Sequence, residues 1–485
     1  MCSIHSFTSS EIKKAREALL LWYDKCKRDL PWRQMALDPD PNIRGYAVWV
    51  SEVMLQQTQV KTVIDYYNRW MKKWPNVQEL ASASLDDVNS VWSGLGYYSR
   101  ARLLHEGAKK IVNECNGNLP HTAEALKSTL PGVGRYTAGA ISSIAFNQCT
   151  AALDSNVIRV LTRLREIGSP VQLPTTIEYL WNLANQLVDP NRPGDFNQAL
   201  MELGAVCCTP KQPNCSKCPI NEVGLCGSFK RTTGTLRNKK LSKEIDVENC
   251  HLCIDPVVYQ KSLGVMNYPV KLNKREPRKQ NTIVIVTHTT ILENGANKDV
   301  YLLLQRPKTG LLAGLWEFPS YTIETLKSEN NDAVKVKDQC SMDEIQSFIP
   351  LAIEQIKKAL ESDSSNRLPY NDLNVKSIGE VVHIFSHIHM KYIVFTLKLD
   401  EKPKSDIMEE DIWPPLLNFG RWVSLEDLQT SAISTATKKI FAHFENYSKT
   451  SNGEAVEKRR KVGKRHSTKT SLTDSKQSKL DNFFR

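Results

Sequence analysis

Residues 130–156 read LPGVGRYTAGAISSIAFNQCTAALDSN. Gly132 and Gly134 lack a Cβ, so the Pro-Gly-Val-Gly segment can bend sharply and bring its N–H groups close to a ligand. The run after Arg135 has helical composition, which would place an anion bound there at a helix N-terminus. Residues 122–130 are also of helical composition, so the segment predicts helix, turn, helix. Taken alone, an ordinary helix connection has the same signature. The stretch closes on Asp154 and Asn156, which lie just past the second helix.

Length and composition set the frame. A chain of 485 residues with 41% hydrophobic content has room for about three domains. No run of 18 or more apolar residues occurs, so no membrane span is expected. The first residues, MCSIHSFTSSEIKKA, have neither the apolar core of a signal peptide nor an arginine-rich transit pattern. The twelve cysteines are clustered, which suits a reducing compartment and metal binding better than a disulfide framework.

The net charge of +11 is unevenly distributed. Residues 229–280 carry twelve Lys/Arg against five Asp/Glu, and residues 448–485 carry eleven against four, so the remainder is slightly acidic. Folded parts of such a chain must hold a polyanion by local geometry rather than by bulk charge. The same segments mark expected boundaries. Residues 1–228 are rich in helical periodicity, with Val63, Ile64, Tyr67 and Trp70 on one face of KTVIDYYNRWMKKW. Residues 229–280 are expected to be a basic interdomain linker. From 281 to 447, strand-like runs such as NTIVIVTH and KYIVFTLKL alternate with helical candidates, predicting a separate α+β domain. Residues 448–485 are expected to form a disordered basic tail.

Several side chains carry chemistry in their own right. Glu52 sits among Val48, Trp49, Val50, Val53, Met54 and Leu55 with no cation nearby in sequence, so its pKa should be raised toward that of a general acid. Cys208, Cys215, Cys218 and Cys226 have spacing that can ligate zinc or an iron–sulfur cluster. Tyr97 and Tyr98 stand between glycines and arginines, a pattern that fits core aromatics as well as a stacking wedge.

Taken together, these motifs resemble a family. LPGVGRYTAGAI resembles the helix-hairpin-helix of base-excision DNA glycosylases, here spanning about residues 122–146. YAVWVSEVMLQQTQV (46–60) and GLGYYSRARLL (94–104) resemble the MutY-type adenine DNA glycosylases. LLLQRPKTGLLAGLWEFPS (302–320) with GEVVHIFSHIHMKY (379–392) resembles their C-terminal Nudix-like domain. The resemblance implies a mostly α-helical helix-hairpin-helix glycosylase domain with an iron–sulfur loop, followed by an α+β Nudix-like domain and the basic tail. It implies excision of adenine mispaired with 8-oxoguanine or guanine in double-stranded DNA, with an abasic site left behind.

The same resemblance implies roles residue by residue. Glu52 is the general acid and Asp154 stabilises the sugar cation electrostatically or by a transient covalent bond, with Tyr136 and Asn156 positioning Asp154 and the sugar or water. Trp32, Arg33 and Glu202 form the adenine pocket. Gln57 and Thr58 meet the DNA, Tyr97 wedges into the base stack with Leu95 nearby, and Gly132 and Gly134 hold a phosphate. Ser386 meets 8-oxoguanine. The segment after GLWEFP reads SYTIETLKSENNDA, without the glutamate array of a hydrolytic Nudix enzyme, so this domain is expected to bind rather than hydrolyse. Cys208, Cys215, Cys218 and Cys226 would hold a 4Fe–4S cluster, although two extra residues precede Cys226 relative to the family spacing. Tyr136 stands where the lyase relatives carry a lysine. A phenol forms no Schiff base, which predicts a monofunctional enzyme.

Partners follow in the same way. Cys250 and Cys253 match half of a linker zinc site, with His5 as a further ligand and the fourth ligand open; two thiols without metal are the alternative. Gln477, Leu480, Phe483 and Phe484 match the box that binds the replication sliding clamp. The linker is expected to engage a checkpoint clamp and an abasic-site endonuclease. KRRKVGKRH (458–466) predicts nuclear import, and a mitochondrial pool is compatible with the chain; a monomer is expected. Competing readings are an endonuclease III-type glycosylase/lyase for oxidised pyrimidines and a non-catalytic DNA-damage sensor.

Overall fold

The computed structural model describes residues 2–234, 250–272, 277–293, 296–307, 310–323, 342–360, 375–385, 387–399 and 420–451. The described residues divide into two compact units, one within 1–91 and 100–274 and the other within 92–99 and 275–480.

The first unit is helical. Its elements are α1 (Ser9–Cys26), α2 (Pro31–Met35), α3 (Pro41–Leu55), α4 (Val60–Lys73), α5 (Val77–Ser82), α6 (Leu85–Trp92), α7 (Ser99–Glu114), α8 (Ala123–Thr129), α9 (Arg135–Phe146), α10 (Ser155–Leu164), α11 (Pro174–Leu187), α12 (Pro193–Glu202), α13 (Pro219–Glu222) and α14 (Gly227–Thr233). Helix starts follow the sequence closely. Thr8 and Glu11 form a reciprocal capping box at α1, Asp40 caps α3 just ahead of Pro41, and Asp154 caps α10. The α10 face carrying Val157, Val160, Leu161 and Leu164 packs with Leu19, Tyr23, Leu180, Leu183, Phe196 and Leu200 in one core. Burial of such side chains, at about 1.5–3 kcal/mol each, is what holds these short helices together.

Close approach of backbones positions the segment leading to Asp154. A Cβ on Gly139 of α9 would lie 2.1 Å from the Ala151 carbonyl oxygen, so only glycine lets the chain before Asp154 pass over α9. Beyond α12, the helix opens into a π-helical turn, Leu203–Cys207, that leads into the cysteine loop.

One expectation is corrected here. Described residues 250–272, read from charge and lack of periodicity as linker, belong to the helical unit: Cys250 and Leu252 sit in its core, and Tyr268 is 1% exposed. Leu252 accepts from Gly168 N–H at 2.8 Å and Tyr268 from Arg163 Nε at 3.1 Å. Isolated anchors spaced along a basic, largely non-periodic segment leave no pattern for a sequence reading to detect. Helix α14 likewise runs past residue 228.

The second unit is α+β, as expected, and its elements run from Arg278 to Ser451, past both expected bounds of 281–447. Seven strands, β1 (Arg278–Glu293), β2 (Ala296–Gln305), β3 (Trp316–Glu317), β4 (Ser320–Ile323), β5 (Lys376–Ile384), β6 (Ile388–Lys398) and β7 (Arg421–Ser424), form a mixed sheet in the order β3-β2-β1-β6-β5. β4 pairs with β1 and β7 with β2; β1 and β6 are parallel, with Ile285 opposite Phe395. Helix α15 (Met342–Leu360) covers one face through Ile345, Ala352 and Ile356 against Ile283, Ile393 and Leu397. Helix α16 (Leu425–Thr430) follows β7, and α17 (Thr435–Ser451) brings Phe441 and Phe444 edge-on to Tyr301. No helix among the described residues is long and apolar enough to cross a membrane.

Candidate active site

Glu52 lies on α3, a helix buried almost all round from Gly45 to Met54, and is itself 6% exposed. Tyr136, at the start of α9, donates its hydroxyl to Glu52 Oε2 at 2.6 Å. Burial pushes the Glu52 carboxyl up to about 7; the Tyr136 hydrogen bond opposes this, and the nearby Asp154 charge adds to it. Such a group is protonated below neutrality and ready to give its proton near neutral pH.

Asp154 is held from its own helix terminus. Its Oδ1 accepts from Val157 N–H at 2.7 Å and its Oδ2 from Asn156 Nδ2 at 2.7 Å. Asp154 is partly accessible, yet enclosed densely enough that burial raises its pKa against those hydrogen bonds and the Arg159 charge. Asn156 thus holds one oxygen of Asp154 in place. Tyr136 bonds to the other carboxylate: a donor two residues into α9 meets Glu52 on α3, while the α10 cap takes its donors from its own first turn.

Behind Asn156 lies a residue that the sequence reading missed. Arg159 donates from Nη2 to Asn156 Oδ1 at 2.7 Å and to Gly204 O at 2.6 Å, and from Nε to Cys208 O at 2.8 Å. One guanidinium thus ties Asp154, through Asn156, to the cysteine loop. Its i+3 spacing from Asn156 on α10 is the only signal that was available.

Glu202 ends α12 fully buried, facing two arginines. Arg28 grips it with Nε and Nη2 at 2.6 and 2.8 Å, and Arg33 Nη2 adds a third bond at 2.9 Å. Burial pushes the carboxyl up, but the two guanidiniums more than offset this and hold it below the usual carboxylate range. Trp32 is buried edge-on to Tyr67 with ring centroids 5.5 Å apart. Arg28 was missed, although it stands in the same RDLPWR motif as Trp32 and Arg33.

The turn beyond α3 is part buried, with Gln56 and Thr58 half-buried. Gln57 is exposed with φ 56°, and Thr58 receives a 3.3 Å bond from Arg100 Nη2. Arg100 also donates to the carbonyls of Val53, Met54 and Gln56, closing the end of the helix that carries Glu52. In the second unit's 92–99 segment, Leu95 is buried, whereas Tyr97 is 36% exposed at φ 48°. Non-glycine residues at positive φ carry strain that is common at functional sites. In the 130–134 turn, Gly132 has φ 75°; Gly134 has an ordinary φ of −89° and caps α9, and a Cβ there would meet no protein atom. The absence of a side chain at Gly134 leaves the end of α9 open to a ligand.

Among the described residues, two sets of metal-type ligands occur. Cys208, Cys215, Cys218 and Cys226 ring a cavity shared with Cys207, Val160 and Arg163, and Arg163 Nη1 donates to Cys208 Sγ at 3.3 Å. Thiols disposed around a cavity, with arginine to balance thiolate charge, suit a multinuclear cluster. The second set, Cys2, His5, Cys250 and Cys253, instead converges, with all donor atoms within 4.8 Å of one another. His5, Cys250 and Cys253 were expected together; Cys2 was not. Ser386 and the clamp-box residues Gln477, Leu480, Phe483 and Phe484 lie outside the described residues, as does 458–466.

Residues 50–186 match the HhH-GPD superfamily of base excision DNA repair proteins, and residues 289–443 match the NUDIX domain. The chain is 45% identical over 452 residues to an adenine DNA glycosylase of Mus musculus, covering 91% of this chain and 80% of that protein. It is 47% identical over 453 residues to one of Homo sapiens, covering 90% and 76%. With one of Schizosaccharomyces pombe it shares 37% identity over 407 residues, covering 81% and 83%.

Proposed function

The chain belongs to the adenine DNA glycosylase family, and from that footing we propose that it releases adenine mispaired with 8-oxoguanine or guanine, leaving an abasic site without cutting the strand. The observation carrying this reading is the buried Glu52, with a pKa near 7, hydrogen-bonded to Tyr136 within the field of Asp154.

Breaking the N-glycosidic bond leaves positive charge on the sugar and negative charge on the departing base. Glu52, protonated, donates to adenine N7, so the base leaves neutral. Tyr136 occupies one oxygen of that carboxyl, which leaves the other to face the base. Asp154, ionised and held by Val157 N–H and Asn156, stabilises the sugar cation, whose charge in turn favours the ionised form. Each effect supplies about 3–6 kcal/mol. Glu202, fixed as an acceptor by Arg28 and Arg33, suits the exocyclic amine of adenine. Tyr136 has no amine to attack the sugar; water adds to the anomeric carbon and passes its proton to the Glu52 carboxylate that base release left ionised, so the chemistry ends at the abasic site.

Cys208, Cys215, Cys218 and Cys226 would hold a 4Fe–4S cluster, supplying four-thiolate ligation of a multinuclear centre to the loop that carries the Arg159 contact. His5, Cys250 and Cys253 would contribute to a zinc site. Ser386 meets 8-oxoguanine. The Gln477, Leu480, Phe483 and Phe484 box recruits the replication sliding clamp, residues 229–280 a checkpoint clamp and an abasic-site endonuclease, and 458–466 directs nuclear import, with a mitochondrial pool compatible.

The deciding experiment is single-turnover base release from duplexes carrying adenine opposite 8-oxoguanine, guanine or thymine. The expected order is 8-oxoguanine, then guanine, with thymine inert. No release from the first duplex refutes the reading, as does efficient borohydride trapping through a native lysine.

A further inference from the structure

Cys2 shares a pocket with His5, Cys250 and Cys253, although 248 residues separate it from the nearer linker cysteine. Cys2 Sγ and Cys253 Sγ are 3.8 Å apart, and His5 Nε2 is 3.3 Å from Cys253 Sγ. A tetrahedral zinc with Zn–S near 2.3 Å and Zn–N near 2.0 Å has ligand-to-ligand edges of about 3.8 Å between sulfurs and about 3.5 Å from sulfur to nitrogen. A disulfide would need its sulfurs at about 2.05 Å. These two edges match the metal polyhedron, and the sulfur pair is too far apart for the covalent bond.

The imidazole is prepared for the same task. His5 is fully buried, and its Nδ1 lies 2.8 Å from the Arg165 carbonyl oxygen. A carbonyl only accepts, so Nδ1 carries the proton and Nε2 presents its lone pair to the thiols. Tyr179 OH donates to the His5 carbonyl at 3.0 Å, and Gly168 N–H donates to that of Leu252, so both ligand-bearing segments are fixed by backbone contacts besides their side chains. Residues 229–249 and 254–280 contain no cysteine, so the linker itself supplies only two thiols.

We propose that Cys2 is the third thiolate of a mononuclear zinc site completed by His5, Cys250 and Cys253. The inference rests on the zinc reading above and deepens it: Cys2 supplies the ligand that reading left open. Zinc then joins residues 2–5, the end of α10 at Arg165 and the 250–253 turn, so the 2–5 segment becomes a structural part of the helical unit.

The test uses the untagged full-length chain, with zinc and iron counted separately by elemental analysis and the zinc environment read by X-ray absorption at the zinc edge. The expected result is one zinc with three sulfur neighbours and one nitrogen. Cys2→Ala should weaken zinc binding on the order of 100-fold or more, with iron content and helical circular dichroism unchanged. Cys2→His should restore stoichiometric zinc with two sulfurs and two nitrogens. Cys26→Ala serves as the control and should leave zinc unchanged. Zinc-free wild-type protein grown in zinc overturns the metal reading itself, as does a Cys2–Cys253 disulfide found by mass spectrometry. Stoichiometric zinc that keeps three sulfurs in Cys2→Ala overturns the assignment of Cys2 alone.

Discussion

Tyr136 donates its hydroxyl to Glu52 Oε2 at 2.6 Å, linking the first turn of α9 to the buried carboxyl of α3. On the proposed mechanism this phenol tunes and orients the acid. Because the bond favours the ionised form of Glu52, removing it moves the acid's pKa upward from about 7. Tyr136→Phe should therefore shift the falling alkaline limb of single-turnover base release to higher pH, while lowering the plateau by about 10–100-fold through lost orientation. A limb that stays in place or moves to lower pH would contradict the assignment of Glu52 as acid.

Glu52 also affects stability. Its folded-state pKa of about 7 lies above the ordinary 4.5, so its contribution is fully present below about pH 4.5 and is lost as pH rises through 7. The full difference is about 3 kcal/mol. Glu52→Gln removes this penalty, and the helical unit should melt higher than wild type at pH 8, with the gap narrowing toward pH 5, while base release is abolished. Thermal denaturation at the two pH values checks it.

Asp154→Asn should cut base release by at least about 10³-fold, since the amide carries no charge to offer the sugar cation. Its oxygen can still accept from Val157 N–H, so the melting temperature should fall only slightly. Binding to substrate duplex, measured by fluorescence anisotropy, should persist.

Arg159→Ala would leave Asn156 Oδ1 and the carbonyls of Gly204 and Cys208 without their shared donor. The expected cost is about 3 kcal/mol, with lower iron content and slower base release in the same preparation. Urea denaturation and iron analysis measure the two effects. Arg159→Lys, whose single ammonium cannot reproduce the planar fork, should recover only part of either.

Gly139→Ala should be more damaging than its size suggests. The added methyl lands 2.1 Å from the Ala151 carbonyl, so the segment ahead of Asp154 must move. Loss of base release with overall helicity preserved is the expected result, checked by circular dichroism and single-turnover kinetics.

Local pattern carried much of this protein in readable form. The helix of Glu52 is announced by an apolar run behind Asp40-Pro41, the α10 cap by Asp154 itself, and the α+β unit by alternating strands after residue 280. Glu52's raised pKa was legible because its apolar neighbours on α3 are sequence neighbours too. What the sequence could not show are partners brought together from distant positions. Arg28 and Arg33 meet Glu202 about 170 residues away, Arg159 reaches Cys208, and Tyr136 meets Glu52 rather than Asp154. Residues 250–272 read as linker because isolated anchors such as Leu252 and Tyr268 have no period. Residue type and spacing along one helix or strand determined which groups could act as acid, cation stabiliser and thiolate. Only tertiary packing decided which donor each carboxylate receives and which cysteine joins His5, because burial and hydrogen-bond geometry depend on chain crossings that local order does not encode.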